Sequence, residues 1–273
     1  MINFEIYKSG RIIRYEENTQ LFNKEKINTL FIFHGLYGRG KNWQSFAKKI
    51  SENEKTTVVT VDLRNHGRNI FKENMSYTLM MEDIFHLFNY LEIKRTNLLG
   101  HSMGGKLAML ITLLRPNYIN KLIIADIAPI NYINDNQNII DSLFNLDLNL
   151  VRNRNHADEL LSNEIEQKFL RSFLLQNIKL SDGKYKWSIN LTSIKNAMNN
   201  LRSFPKIDKN NKVDTKSLCI YGQKSDYVNE DHFQIFKNYF SNILFHKIKN
   251  AGHFLHIENP DEFYEVSKNF FKD

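Results

Sequence analysis

The sequence of 273 residues predicts an α/β fold: a mostly parallel sheet with helices on both faces and a helical cap inserted between two of its strands. Three observations predict it. Short apolar, β-rich runs alternate with segments of helical periodicity from residue 29 to 126, the pattern of a parallel sheet covered on both sides. The same alternation resumes at residue 217 and continues to the last helix-like stretch. Between about residues 131 and 212 it gives way to polar, Asn-rich, helix-like sequence with no βαβ rhythm.

In chain order, "MINFEIYKSGRIIRYEE" alternates as two strands about the turn Ser9-Gly10 and lacks the apolar core of a signal peptide. "TLFIF", "TVVTVD", "TNLLG" and "KLIIAD" are the next strands, with helices at "NWQSFAKKI" and "YTLMMEDIFHLFNYL". After the insertion come the strand "SLCIYG", a helix around "EDHFQIFKNYF", the strand "ILFHKI" and a last helix "DEFYEVSKNFF". Residues 1–130 and 213–273 are therefore expected to form the core domain, and residues 131–212 the cap. Caps of this kind cover the carboxyl ends of the strands, where open α/β sheets bind ligands.

Length permits one large α/β domain with an insertion. The net charge of +7 comes from 37 basic and 30 acidic residues, with the lysines dispersed among glutamates and asparagines. That is a solvated surface, so no nucleic-acid partner is expected. The single cysteine, Cys219, lies in an apolar strand and is expected to be a small buried residue. No stretch has the apolar length of a membrane span, and a soluble, cytoplasmic protein is expected.

The stretch "LLGHSMGGKLAML" places Ser102 between Gly100 and Gly104 where a strand meets a helix, the G-x-S-x-G spacing of a nucleophile elbow. A serine hydroxyl is a poor nucleophile at neutral pH. It needs a base to take its proton and an acid to orient that base. His253 in "NAGHFLHIENP", after the last strand, is the candidate base, and His256 three positions on competes with it. An oxyanion requires two backbone N–H donors: Met103, directly after the serine, and Leu36, in the loop "FIFHGLYG". A capping role for Ser102 leaves the His-Gly loop and the late Gly-His unexplained. His34, His66 and His101 read as hydrogen-bonding turn residues. Dispersed histidines and the lack of a phosphate-binding glycine loop predict neither a metal site nor a cofactor.

These stretches, with "VDLRNHGRN", "IIADIAPINY" and "GKYKWSINLTSI", resemble the α/β-hydrolase superfamily, and within it the YbfF-type esterases. The resemblance spans nearly the whole chain. It implies hydrolysis of carboxylic esters or acyl thioesters, through an acyl-enzyme on Ser102, without a cofactor and with a small-molecule substrate as the partner. It also implies that the acid lies in "DIAP", which is Asp126. The commoner pattern G-x-x-D-x-x-V reads here Gly222 to Val228 with Ser225 at the acid position and Asp226 one residue late. Asp126 is favoured, because a carboxylate in so apolar a run requires a reason, and Asp226 is the alternative. Chain order allows both.

Asp62 has two readings, orienting active-site loops or forming an ion pair with Arg64 at a strand end, and the pair is favoured; Trp43 and Tyr37 are expected to pack in the core, with lining of the acyl pocket as the alternative, and Lys106 to be structural. Two other readings stand beside the esterase: a cofactor-free hydrolase of a carbon-carbon bond or lactone, and a ligand-binding protein that keeps the fold.

Overall fold

Every apolar run in the core region becomes a strand, because β-branched and aromatic side chains suit a pleated surface buried on both faces. The computed structural model describes residues 1–13, 28–53, 56–133, 137–207 and 211–272. In chain order they form β1 (Phe4–Lys8), β2 (Arg11–Ile13), β3 (Thr29–Phe33), α1 (Gln44–Asn53), β4 (Thr57–Val61), α2 (Tyr77–Tyr90), β5 (Thr96–His101), α3 (Met103–Leu114) and β6 (Ile119–Ala125). The insertion follows as α4 (Gln137–Asn145), α5 (Arg154–Leu161), α6 (Lys168–Leu175), β7 (Ile178–Ser181), β8 (Lys184–Trp187) and α7 (Leu191–Arg202). The chain returns to the sheet with β9 (Lys216–Gly222), α8 (Phe233–Tyr239), β10 (Ile243–Ile248), α9 (Leu255–Glu258) and α10 (Pro260–Lys272).

The sheet has eight strands in the order β10-β9-β6-β5-β3-β4-β1-β2. The strands from β10 to β4 pair in parallel, and β1 pairs antiparallel with both β4 and β2. The two expected N-terminal strands are β1 and β2. The rest of that opening stretch, from residue 14, lies outside the described residues, as do residues 134–136 and 208–210 of the insertion.

Side chains alternate between two buried clusters, one on each face. Phe31, Phe33, Leu98, Leu122 and Ile124 join α2, α3 and α7 on one side; Leu30, Ile32, Leu99, Ile123 and Leu218 meet α1 and α10 on the other. Cys219 is buried in the first cluster. No helix among the described residues is long and apolar enough to cross a membrane.

One expectation needs correction. The insertion is helical but also holds the antiparallel hairpin β7–β8, closed by Asp182 and Gly183, both at positive φ. Asp-Gly between two short runs is the strongest local hairpin signal, and an Asn-rich, polar background hid it.

Chain order reverses between β3 and β5: the next strand after β3 lies on one side of it, and β5 lies on the other. Loops leaving a sheet at such a switch point diverge and open a crevice at the carboxyl edge.

Candidate active site

Register brings the site residues together. His101 pairs with Ala125, and Ala125 with Ile220, so Ser102 and Asp126 leave β5 and β6 side by side at the carboxyl edge. The bend at Ser102 is sharp, with φ 53° and ψ −120°. It is held by Ser102 N–H to the Ala125 carbonyl (3.0 Å) and by Gly105 N–H to the Ser102 carbonyl (2.8 Å). Two glycines make it possible. A Cβ on Gly100 would lie 2.2 Å from the Gly104 carbonyl oxygen, and one on Gly104 would lie 2.3 Å from that of Phe33. Backbone meets backbone at both places, so no rotamer relieves the clash.

Asp126 is fully buried and also sits at positive φ, 51°. Its Oδ1 accepts from Gly222 N–H at 3.0 Å. Its Oδ2 accepts from the Ser225 hydroxyl and lies 2.8 Å from His253 Nδ1. Three donors thus converge on one carboxylate, the arrangement that removes the penalty of burying it. Asp226 is exposed, and its side chain makes no bond to His253 among the described residues. The serine at the usual acid position, Ser225, instead donates to Asp126 from the neighbouring strand.

The His253 imidazole is held from several sides. Tyr227 stacks on it with ring centroids 3.9 Å apart and planes at 23°. Glu258 clamps its loop, accepting from Gly252 N–H at 2.8 Å and Phe254 N–H at 3.1 Å. His101 Nε2 lies 2.8 Å from the His253 carbonyl, to which it donates. Burial, with His253 and His256 beside it, holds the His101 pKa well below its ordinary value, so that ring is neutral. His256 turns away. It stacks on Trp43 (4.1 Å, 10°), its Nδ1 is buried with no partner among the described residues, and burial pushes its pKa down to about 3. It faces a different groove, beside Phe46 and Tyr264.

Leu36 and Ser102 border the same cavity as His253. Around the bend the amides of Ser102, Gly105 and Lys106 are engaged, and across from them those of Tyr37 and Gly38. The N–H groups of Met103 and Leu36 have no partner among those bonds.

The Leu36 loop is locked by two buried histidines. His34 Nε2 accepts from Leu63 N–H (2.9 Å), and His66 Nε2 accepts from Tyr37 N–H (3.2 Å). Their Nδ1 atoms donate to the carbonyls of Gly35 (2.7 Å) and Arg64 (2.8 Å). Both roles require neutral rings, and burial lowers His34 to about 4 and His66 to about 3. Tyr37 is buried as expected for a core residue, yet it also borders the cavity.

The expected Asp62–Arg64 pair is not formed. Arg64 makes a two-pronged bond to Asp83 (2.7 and 2.9 Å) on α2, where the fork of the guanidinium matches a carboxylate. Asp62 instead accepts from Gly40 N–H and Arg68 N–H, bracing the turn behind the Leu36 loop.

Several residues that the sequence reading missed belong here. Asn177 in the insertion donates to the Tyr37 carbonyl at 2.8 Å and is fully buried. Tyr132 takes Ala128 N–H (2.9 Å) and donates to the Tyr227 carbonyl (2.6 Å). Nothing local marks these two bonds into the site, because Tyr227 lies 95 positions from Tyr132 and Tyr37 lies 140 from Asn177.

Comparison with known proteins gives a consistent picture. Residues 28–260 match the family model described as the alpha/beta hydrolase fold. The sn-1-specific diacylglycerol lipase ABHD11 of Danio rerio is 32% identical over 250 residues, covering 89% of this chain and 78% of that protein. Esterase YbfF of Escherichia coli is 27% identical over 252 residues, covering 92% and 96%. A solved marine microorganism esterase superposes with a TM-score of 0.88 at 33% identity, covering 98% of both chains.

Proposed function

Because the chain belongs to the α/β-hydrolase family and has esterases among its relatives, we propose that it is a serine hydrolase of carboxylic esters or acyl thioesters. The observation that carries this reading is the bond from His253 Nδ1 to the buried Asp126, at the edge of the cavity that Ser102 borders. Ser102 Oγ attacks the substrate carbonyl and passes its proton to His253 Nε2. Asp126 orients the ring and stabilises its charged form. The Leu36 and Met103 amides receive the oxyanion. His253 then protonates the departing alcohol or thiol, leaving an acyl group on Ser102. Water attacks that ester with His253 as base, and the acid is released.

In this reading residues 131–212 are a cap over the carboxyl edge. Asn177, Tyr132 and α7 reach the site from it.

The test is direct. Ser102→Ala should abolish both p-nitrophenyl butyrate hydrolysis and labelling by a fluorophosphonate. Asp126→Asn should lower kcat by about 10³- to 10⁴-fold, since a wrong tautomer disarms the base. A comparable loss in Asp226→Asn, with Asp126→Asn active, would give the acid role to the other aspartate.

A further inference from the structure

Two cavities meet at Ser102, and they are unequal. The larger, about 260 Å³, extends from Ser102 past His253 and Phe254 to Leu170 and Phe173 of α6. The smaller, about 30 Å³, lies on the Met103 side, between Lys106, Ile127 and the α7 residues Met198 and Leu201. Both share Leu36, Ser102 and Tyr227, but His253 borders only the larger.

This asymmetry assigns the two ends of the substrate. The tetrahedral carbon formed on Ser102 carries the oxyanion, the leaving group and the acyl chain besides Oγ. The oxyanion faces the Leu36 and Met103 amides. The leaving-group atom must lie within hydrogen-bond reach of His253, which gives it its proton. That places the alcohol or thiol portion in the larger cavity and leaves the smaller one for the acyl chain.

The far wall of the smaller cavity is also braced. Tyr77 on α2 donates its hydroxyl to the Leu201 carbonyl at 2.8 Å, and the buried Lys106 ammonium donates to the Arg202 carbonyl with the Tyr132 ring 4.7 Å away. These bonds tie α7 to α2 and α3 across the far wall. A space of 30 Å³ has room for one or two water-sized groups.

We propose that this cavity is the acyl subsite and that it restricts the enzyme to short acyl groups of the acetyl and propionyl class. The larger apolar cavity holds the alcohol or thiol part. Met198 and Leu201 set the length limit. The assignment rests on the hydrolase reading of Ser102 and His253.

The test uses p-nitrophenyl esters that share one leaving group. In the unmodified protein kcat/KM should be at least about 10-fold higher for the acetate or propionate than for the hexanoate, because a close-fitting apolar pocket discriminates by about this much or more per misplaced methylene. Met198→Ala should raise the hexanoate-to-acetate ratio by about the same factor. Phe173→Ala, in the larger cavity, should leave that ratio in place while altering the dependence on the alcohol in a series of acetate esters.

A preference for the hexanoate in the unmodified protein, or a chain-length ratio that follows Phe173→Ala and not Met198→Ala, overturns the assignment. The profile of the unmodified protein needs no variant to fold. Failure to hydrolyse any ester, together with failure of a fluorophosphonate to label Ser102, instead overturns the hydrolase reading beneath it.

Discussion

Ser102, Asp126 and Tyr37 all hold positive φ, at 53°, 51° and 63°, and each lies at the carboxyl edge of the sheet. Non-glycine residues resist this conformation by about 1–3 kcal/mol apiece, and only surrounding structure that over-determines them keeps them there. Here that structure is visible: Ser102 N–H is held by Ala125, Asp126 N–H by Ile220 and Tyr37 N–H by His66. The histidines add a pH dependence. His34, His66 and His256 are lowered from 6.5 to between about 3 and about 4, so in the folded chain they stay neutral where the unfolded chain binds protons. Stability is therefore fully present above pH 6.5 and is lost as pH falls through about 4 and about 3, by about 2 kcal/mol per histidine at pH 5. Urea unfolding at pH 7.5 and 5 should show the drop, and it should shrink in His256→Phe, which keeps the stack on Trp43 and removes the titrating group. An unchanged difference in that variant would show that His256 is not a source of the acid sensitivity.

At the scale of elements, close backbone approach decides which substitutions the fold tolerates. The β5–α3 bend brings Gly104 against β3, so Gly104→Ala forces strand and helix apart. Its expected effect is loss of more than about 3 kcal/mol, or failure to accumulate folded protein, read by thermal unfolding. Gly183 in the β7–β8 turn is the contrast. Its φ is 74°, but nothing lies within 4 Å of an added Cβ. Gly183→Ala should thus cost only the conformational penalty, about 1 kcal/mol, with turnover retained.

For the whole molecule, the insertion matters through the bonds that dock it. Asn177 reaches the Tyr37 carbonyl, Ser193 accepts from Asn65 at 2.7 Å, Asn190 N–H donates to the Asn65 carbonyl, and Gln176 accepts from Asn42 at 2.7 Å. The asparagine-rich composition thus supplies short amides that satisfy backbone and side-chain groups between the two layers. Asn177→Leu leaves the buried Tyr37 carbonyl without this donor. It should destabilise the chain by about 1–3 kcal/mol. It should also lower kcat more than it raises KM, since the loop carrying the Leu36 amide loses its anchor. A mutant with a reduced melting temperature but unaltered kcat would assign Asn177 to stability alone.

By itself the sequence determined the α/β class, most of the strands and the identity of Ser102, His253, Leu36 and Met103 as candidates, because these depend on local periodicity and on motifs whose spacing is set within one turn. It favoured Asp126 over Asp226 with both open, and of its two readings of Asp62 it preferred the pair with Arg64 over the loop-orienting one. Register separates the positions of these residues: one residue past the aligned ends of β5 and β6 places Asp126 beside Ser102, whereas Asp226 follows the next strand and is exposed. Arg64 finds Asp83 on α2, 19 positions on, a contact that no local pattern encodes. The division of space around Ser102 into a large and a small cavity was decided only when α6 and α7 folded back over the sheet. Spacing along a chain records which groups share a turn; distances between turns exist only after the layers have packed.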